Sequence, residues 1–194
     1  MKKIGKQTIV FDEPPYMIGN YSIVGPKEAN GNFAKFFDET LKDDKYGQSS
    51  YEKAERKMFL SAVEGAIASC GLLRDDIDVL LAGDLMNQII SSNFTARELQ
   101  IPFLGLFGAC STMVESLIVG SMLIDGNFFK NVACASGSHF SSAEKQFRYP
   151  LELGTQRPPT SQWTVTGSGC AILSKTKSSV RITKSTIGKV VDWN

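Results

Sequence analysis

The sequence predicts an α/β fold in which a mostly parallel β-sheet carries helices on both faces. Two long segments with helical periodicity, at 51–70 and 111–124, are separated by short apolar runs that suit buried strands. Strands that alternate with helices form βαβ units, whose parallel sheet is buried on both sides. With 194 residues, 42% of them hydrophobic, the chain is long enough to bury one sizeable core.

The N-terminal part is predicted to be mainly irregular as far as residue 48. Paired prolines and Gly-Pro and Asn-Gly dipeptides interrupt it, and only short pieces such as 8–11 suit strands. The clearest helix follows, because Ser49 and Glu52 match a capping box and Gly71 is a natural stop. One face of this helix is apolar and consists of Ala54, Met58, Ala62, Ala66 and Cys70, joined by Phe59, Val63 and Ile67.

Helices and strands alternate through the rest of the chain. A short helix is predicted at 93–100, and a long one at 111–124 is closed by Asp125 and Gly126. Strands are predicted where short apolar or β-branched runs lie between turn residues, at 79–82, 101–107, 131–135, 163–166, 170–174 and 180–186. Of these, 79–82 and 101–107 are expected to be buried.

Composition excludes several classes of protein. The net charge is +1 and no basic block is present, which argues against a nucleic-acid partner. The longest apolar runs are far shorter than the ~20 residues of a membrane span, and the N-terminus has no secretory signal. The four cysteines are widely spaced and there is a single histidine, so we expect a reducing interior with neither a zinc site nor a disulfide framework.

The predicted strand ends place polar side chains where parallel sheets bind ligands, beyond the carboxyl ends of their strands. These side chains are Asp84, Asn87 and Gln88 after one strand, Cys110 and Ser111 after the next, and Ser136, Ser138 and His139 after the third. Cys110 precedes a helix, whose free N–H groups and dipole stabilise a thiolate or a bound carboxylate. A buried cysteine that only fills space is the alternative.

The order of these features resembles the N-terminal half of thiolases and ketoacyl synthases. The resemblance rests on Gly83, on Asn93, Ala96 and Arg97 before Ile101-Pro102, and on the strand at 132–135. It also rests on the turn between strand and helix at 105–113, here called the Cys110 corner. In those enzymes the corner cysteine is the acylated nucleophile. The segment 166–171 is similar to their late glycine-rich strand turn.

Longer stretches resemble the stage V sporulation protein AD family, and the resemblance extends over essentially the whole chain. They are 6–8, 25–28, 82–88, 107–112, 138–139, 143–150, 163–169 and 188–192. This family implies a thiolase-like fold with a mixed sheet, here its N-terminal half at 1–175 followed by the start of a truncated second half at 176–194. A lone half is expected to expose one apolar face of its sheet, and pairing into a homodimer would cover it.

The family resemblance also implies a function. Its members bind dipicolinic acid, pyridine-2,6-dicarboxylate, during its uptake into the developing spore, as a soluble component beside the other SpoVA proteins at the cytoplasmic side of the inner membrane. No cofactor is expected, although calcium could accompany dipicolinate. The alternatives are an acyl-CoA-dependent condensing enzyme or acyltransferase that uses Cys110 as nucleophile, and an assembly subunit with a vestigial pocket.

The expected dipicolinate contacts are Asp84, Gln88, Cys110, Ser111, Thr112, His139 and Arg148. A carboxylate is predicted on the N–H groups of Ser111 and Thr112, with apolar side chains over the ring. Guanidinium groups such as those of Arg148 and Arg157 suit a planar dicarboxylate, although exposed arginines in a proline-bearing loop are more often only solvated.

Each remaining residue has a structural alternative. Cys110 is favoured as the floor of the pocket over a nucleophile, because His139 is a poor base and thiolases take theirs from the second half. His139 suits either a ligand contact or a hydrogen-bonded structural role. Asp84 repels an anion, so pairing with Arg97 or Arg148 or capping the next turn is favoured, and one carboxylate is too few for calcium. Cys70, Cys134 and Cys170 are expected in the core.

Overall fold

A computed structural model of the protein describes residues 2–147, 160 and 164–192. Its strands are β1 (Lys2–Ile4), β2 (Thr8–Val10), β3 (Tyr16–Val24), β4 (Glu39–Thr40), β5 (Val79–Asp84), β6 (Phe103–Gly105), β7 (Asn131–Ser138), β8 (Gly167–Ser174), β9 (Val180–Arg181) and β10 (Lys184–Thr186). The α-helices are α1 (Tyr51–Ser69), α2 (Ile90–Leu99), α3 (Thr112–Asp125) and α4 (Phe140–Phe147).

The main sheet is mixed, as the family resemblance predicts. Among the described residues it has seven strands, in the order β4-β3-β8-β7-β5-β6 with β9 beside β3. β5 is parallel to β6 and β7, and β3 is parallel to β4. β8 runs antiparallel to both of its neighbours, β3 and β7. The α/β class with helices on both faces of a mixed sheet is confirmed, and its strand pairs are divided equally between parallel and antiparallel.

Helices cover both faces because successive residues of the central strands point to opposite sides. Leu80, Ala133 and Ile172 lie in one core cluster with Phe59 and Val63 of α1. Their neighbours Leu81, Cys134 and Leu173 lie in a second cluster with Ile124 of α3. The strands are therefore apolar on both sides, which is the pattern of a sheet buried between two helical layers.

The expectation that one face of the sheet would be exposed is wrong within the described residues, because α3 covers it. Exposed apolar side chains are present on α3 and its flanks, as they are elsewhere on the described surface. Val114 is 59% exposed, Phe107 60% and Phe128 74%. A helix that is apolar around most of its circumference, as α3 is, is typical of one buried on several sides.

The predicted irregular N-terminal part contains a nine-residue strand, β3, that lies inside the main sheet. Gly19-Asn20 indicated a turn, but Gly19 is needed for packing instead. A Cβ there would lie 2.7 Å from Ser69 Oγ and 2.8 Å from the Ala66 carbonyl oxygen, so α1 rests directly on the strand. The register shift between Met17 and Gly19 also breaks the alternation by which a strand is predicted.

The predicted buried strand at 101–107 is wrong in length and burial. β6 has three residues, pairs with β5 on one side, and leaves Leu104 49% exposed. The residues after it leave the sheet to form a corner at Cys110. Likewise, 164–166 precede β8 without pairing as a strand, Trp163 lies outside the described residues, and the predicted strand at 180–186 is divided into β9 and β10.

The cap of α1 differs by one residue from the predicted capping box. Ser50 is the N-cap, and its hydroxyl accepts a hydrogen bond from the Lys53 N–H at 3.3 Å. Glu52 instead contacts Lys145 of α4, with 2.5 Å between Oε1 and Nζ, and this ion pair lowers the pKa of Glu52 to about 2. Gly71, with a φ of +70°, follows the helix as predicted.

A small second sheet joins the two ends of the described chain. β2 lies between β1 and β10 and is antiparallel to both. β9 and β10 belong to the segment predicted to begin a second half, and they pair with β3 and β2. The division into halves at residue 175 stays a prediction.

Candidate functional site

A cavity of about 640 Å³ opens at the edge of the main sheet where β3, β5 and β7 end and β8 begins. This is the edge at which ligands are expected in such sheets. Its apolar walls come from Ile23, Val24, Phe37, Leu85 and Val165. Its polar lining comes from Ser22, Ser136, Ser138, Ser168 and the Cys110 corner. Among the described residues that line it, none carries a charge.

The Cys110 corner sits against the end of β5 because Gly83 has no side chain. The Leu106 N–H donates to the Ala82 carbonyl at 2.9 Å, which brings the chain across the strand end. A Cβ on Gly83 would lie 1.9 Å from the Leu106 carbonyl oxygen and 2.9 Å from Thr112 Cγ2. A glycine at this position is therefore required for the corner to reach the cavity.

The hydrogen bonds within the corner correct the predicted carboxylate contacts. The Ser111 N–H donates to the Gly108 carbonyl at 2.9 Å, and the Thr112 N–H donates to the Ala109 carbonyl. The Gly108 N–H donates to Thr112 Oγ1 at 3.0 Å, and Thr112 itself is buried. The N–H groups of Ser111 and Thr112 are therefore occupied within a short 3-10 turn.

Two other N–H groups of the corner remain. Within the described chain, the N–H groups of Ala109 and Cys110 have no acceptor. Gly108 has φ −110° and ψ 15°, and Ala109 has a left-handed φ of +47°. Successive amides in such a turn form a concave site for an anion. The amides available to an anion are therefore those of Ala109 and Cys110, whereas the sequence predicted those of Ser111 and Thr112.

Cys110 is the exposed cysteine and lines the cavity. Cys134 and Cys170 have the core positions that were predicted for them, whereas Cys70 packs at the margin of the core. Burial raises the pKa of Cys134 to about 12 and that of Cys170 well above its ordinary value. Cys70 is half-buried, and its thiol donates to the Ile67 carbonyl at 3.2 Å. Reaction with a ligand is therefore open to Cys110 and closed to the two buried thiols.

Asp84 has the structural role that the sequence favoured. Asp84 is 2% exposed and is not among the described residues that line the cavity. Its carboxylate accepts hydrogen bonds from the Met86 N–H at 3.0 Å, the Ser92 N–H at 2.7 Å and Ser92 Oγ at 2.6 Å, and so caps the start of α2. Burial raises its pKa, and the Ser92 bonds oppose that effect. Arg97 does not pair with it but stacks 4.8 Å from the ring of Phe94.

His139 is fully buried and both of its ring nitrogens have partners. Nε2 lies 2.8 Å from the Asp44 carbonyl, and Nδ1 accepts from the Ser141 N–H at 3.1 Å, so Nε2 carries the proton. The ring packs between Tyr51 and Phe140, each with centroids 5.0 Å away. Burial lowers its pKa. This geometry matches the structural alternative for His139 and places the ring outside the cavity lining.

Two further predicted contacts are not found among the described residues that line the cavity. Gln88 is exposed, has a φ of +58°, and offers its carbonyl to Asn93 Nδ2 at 2.9 Å. Arg148 and Arg157 lie outside the described residues. Of the seven predicted contacts, Cys110 alone is therefore among the described residues that line the cavity.

Ser168 is a cavity residue that the sequence did not indicate. It is 7% exposed, and its hydroxyl has no hydrogen-bond partner in the structure. By contrast, Ser138 Oγ donates to the Val165 carbonyl at 2.6 Å, and Ser22 is bonded to Asp38. A buried hydroxyl without a partner costs about 1–3 kcal/mol, so Ser168 is positioned to gain from a polar ligand. Only the Gly-Ser-Gly pattern at 167–169 could have drawn attention to it.

Comparison with known proteins identifies the family. The family model described as stage V sporulation protein AD matches residues 5–194. The chain belongs to the stage V sporulation protein AD family. It is 47% identical over 192 residues to stage V sporulation protein AD of Bacillus subtilis strain 168, and the match covers 99% of this chain. It covers 57% of that relative, so the chain spans little more than half the length of this family member.

Solved structures similar to this family member share the thiolase-like fold. 3-Oxoacyl-[acyl-carrier-protein] synthase III of Aquifex aeolicus has a TM-score of 0.57 at 14% identity, over 84% of this chain and 55% of that one. The H285N variant of OleA of Xanthomonas campestris has a TM-score of 0.58 at 10% identity, over 86% of this chain and 57% of that one. At these identities the likeness shows the fold alone.

The described residues contain neither a metal-binding cluster nor a membrane-spanning helix. No group of three or more His, Cys, Asp and Glu side chains among them has the arrangement of a metal site. The hydroxyl-lined cavity does not fit the oxygen-rich, carboxylate-containing cage that calcium prefers. None of the helices described combines the length and apolar character needed to cross a bilayer.

Proposed function

We propose that the cavity at the Cys110 corner binds dipicolinate without chemical reaction, and that the protein serves its uptake into the developing spore. The observation that carries the proposal is the pairing of two unoccupied amides, at Ala109 and Cys110, with the unpartnered hydroxyl of Ser168 on the same cavity. One carboxylate would accept from the two amides. The Ser168 hydroxyl would donate to the second carboxylate or to the ring nitrogen.

The shape and chemistry of the walls suit a small planar ring. A volume of about 640 Å³ is within the range of small-molecule pockets. Phe37, Leu85 and Val165 supply apolar surface for the ring faces, which leaves the polar groups to fix its orientation. The thiol of Cys110 then forms part of the floor beside the carboxylate.

The partners that we propose are those that fit a sporulation role. The family's description names a role in sporulation. We propose that this member works beside the other SpoVA proteins at the cytoplasmic side of the spore's inner membrane. The apolar outer surface of α3, with Val114 exposed, supports a homodimer as the arrangement that covers it. Any calcium would be held by dipicolinate itself, since the cavity offers it no carboxylate.

Isothermal titration calorimetry with dipicolinate tests the proposal. Wild-type protein is expected to bind one equivalent, and Ser168→Ala to bind about tenfold more weakly, because it loses one hydrogen bond to a charged ligand. Ser178→Ala removes an exposed hydroxyl outside the cavity and is the matched control, with unchanged affinity expected. Equal affinity of all three proteins would place the ligand elsewhere. Absence of binding by this chain and by a full-length relative would contradict the proposal.

Acyl transfer is separated from binding by mass spectrometry. A condensing enzyme would gain the mass of the acyl group on Cys110 after incubation with acyl-CoA, and Cys110→Ala would not. Under the binding proposal the wild-type mass stays unchanged. Dipicolinate, and not acyl-CoA, is then expected to raise the melting temperature.

A further inference from the structure

A second cavity, of about 600 Å³, lies on the small sheet and shares no lining residue with the Cys110 cavity. Its lining comes from both ends of the described chain. The lining side chains are those of Lys3, Lys6, Gln7, Ile9, Ile187 and Lys189. The proposed dipicolinate site makes no use of any of them.

The strand register explains why these residues face one cavity. Residues directly opposite each other on paired strands lie on the same side of the sheet. Ile9 of β2 is opposite Lys3 of β1 and Ser185 of β10, so this row faces one side. Lys2 and Lys184 are both opposite Val10 and face the other side. The sheet therefore separates two sets of lysines.

Hydrogen bonds hold the floor of the cavity in place. The Gln7 side-chain amide donates to the Ile187 carbonyl at 2.8 Å, and the Ile187 N–H donates to the Gln7 carbonyl at 3.1 Å. Ile9 and Ile187 give the floor its apolar character, and Ile187 is 48% exposed. An apolar part of a ligand would remove this surface from water.

The charge of the cavity is uncompensated. No carboxylate lies among the residues that line it, and within the described chain Lys3, Lys6 and Lys189 form no ion pair and no hydrogen bond. Three ammonium groups around one concave surface repel one another, and an anion between them would be attracted to all three.

We propose that this cavity binds a phosphate monoester that carries an apolar group. Lysine binds phosphate as a compact point charge, whereas planar carboxylates are better matched by the arginine fork, and no arginine is among the described residues that line the cavity. The two negative charges of a phosphate monoester at neutral pH would balance most of the lysine charge. The apolar group would lie on Ile9 and Ile187. A lipid headgroup and a soluble phosphate ester share this chemistry.

Titration with hexyl phosphate, followed by two-dimensional amide NMR, tests the proposal. Saturable shifts are expected at Lys3, Gln7, Ile9 and Ile187, with the amides around Cys110 unchanged. Binding is expected to weaken about tenfold or more when Lys3, Lys6 and Lys189 are all replaced by glutamine, and to weaken with added salt. Shifts spread over the whole surface, or none, would overturn the proposal.

The register supplies a matched control. Replacing Lys2, Lys184 and Lys177 by glutamine removes the same charge from exposed positions outside the cavity. This variant is expected to bind hexyl phosphate as the wild type does. If the two triple variants lose affinity equally, the attraction is only to net charge and the proposed site is wrong. Because all six lysines are exposed, both variants should fold, which thermal unfolding verifies.

Vesicles distinguish the two sources of the phosphate. If the natural ligand is a headgroup, the wild-type protein is expected to sediment with phosphatidylcholine vesicles that contain phosphatidic acid. The variant with Lys3, Lys6 and Lys189 replaced is expected to stay in the supernatant. Binding of hexyl phosphate without vesicle sedimentation would assign the cavity to a soluble ester. If the wild type binds neither hexyl phosphate nor the vesicles, the proposal is overturned.

Discussion

Gly83→Ala is expected to destabilise the protein by ~3 kcal/mol, the upper part of the range for forcing an atom into a packed site. For a chain of this length that corresponds to a fall in melting temperature of about 6–12 °C. The cause is direct, because the added Cβ would lie 1.9 Å from the Leu106 carbonyl oxygen, a backbone atom that can move only with the corner. Differential scanning calorimetry measures the effect.

Gly169→Ala is the matched control for this substitution. Gly169 lies in β8 of the same sheet and lines the same cavity, but a Cβ there would meet only the Tyr21 carbonyl oxygen, at an ordinary 3.9 Å. A change of less than about 1 kcal/mol is expected. If Gly83→Ala melts within about 2 °C of Gly169→Ala, the close approach of the corner to β5 is not what requires glycine.

Glu55→Gln is expected to stabilise the protein at pH 8 by roughly 2–3 kcal/mol and to have little effect near pH 5. Glu55 is 1% exposed in α1 and contacts Ser142 Oγ of α4. Burial raises its pKa to about 7, the Ser142 hydrogen bond opposes this, and the charge of Asp84 adds to it. Glutamine stays neutral at every pH and can keep the contact with Ser142.

The direction of the pH effect follows from where the proton binds more tightly. The ordinary pKa of the carboxyl is 4.5, so between that pH and about 7 the folded protein binds the proton and the unfolded chain does not. The free energy of unfolding therefore falls as the pH rises through this range. Burial of His139 makes the free energy of unfolding rise with pH below the ordinary pKa of histidine. This contribution is the same in both proteins and cancels in the difference.

Chemical denaturation of the two proteins from pH 5 to pH 8 measures this difference. The difference in the free energy of unfolding between the two proteins is expected to grow as the pH rises. Ser142→Ala serves as a control because it removes the contact but leaves the titratable carboxyl in place, so its stability should still fall with rising pH. Parallel curves for wild type and Glu55→Gln would show that Glu55 is ionised in the folded protein across this range.

The elements that were predicted correctly are those whose hydrophobic periodicity agrees with the way they pack in the fold. α1, α3 and β5 are long or apolar enough for their pattern to be unambiguous, and the alternation of these elements predicts the class. β3 was missed because Gly19 signals a turn in a sequence but supports close helix packing in the fold. β6 was predicted as buried because an apolar run does not reveal whether a strand has one neighbour or two.

The Cys110 corner was predicted from the sequence, but the contacts within it were not. A strand, Gly108, Cys110 and a helix start indicate a corner, and the corner lines the cavity as expected. The available amides depend on the left-handed Ala109, a conformation for which alanine gives no signal. His139 and Asp84 were ambiguous from sequence, since both roles use the same residue types, and only the partners at Asp44 and Ser92 distinguish them.

A crystal structure of the protein with dipicolinate tests the central claim most directly. The account predicts one ligand in the Cys110 cavity, with one carboxylate within hydrogen-bonding distance of the Ala109 and Cys110 N–H groups. The Ser168 hydroxyl is expected to donate a hydrogen bond to the second carboxylate or to the ring nitrogen of the same ligand. No bond between the ligand and Cys110 Sγ is expected. Dipicolinate bound at another surface, with the Cys110 cavity holding only water, would contradict the account.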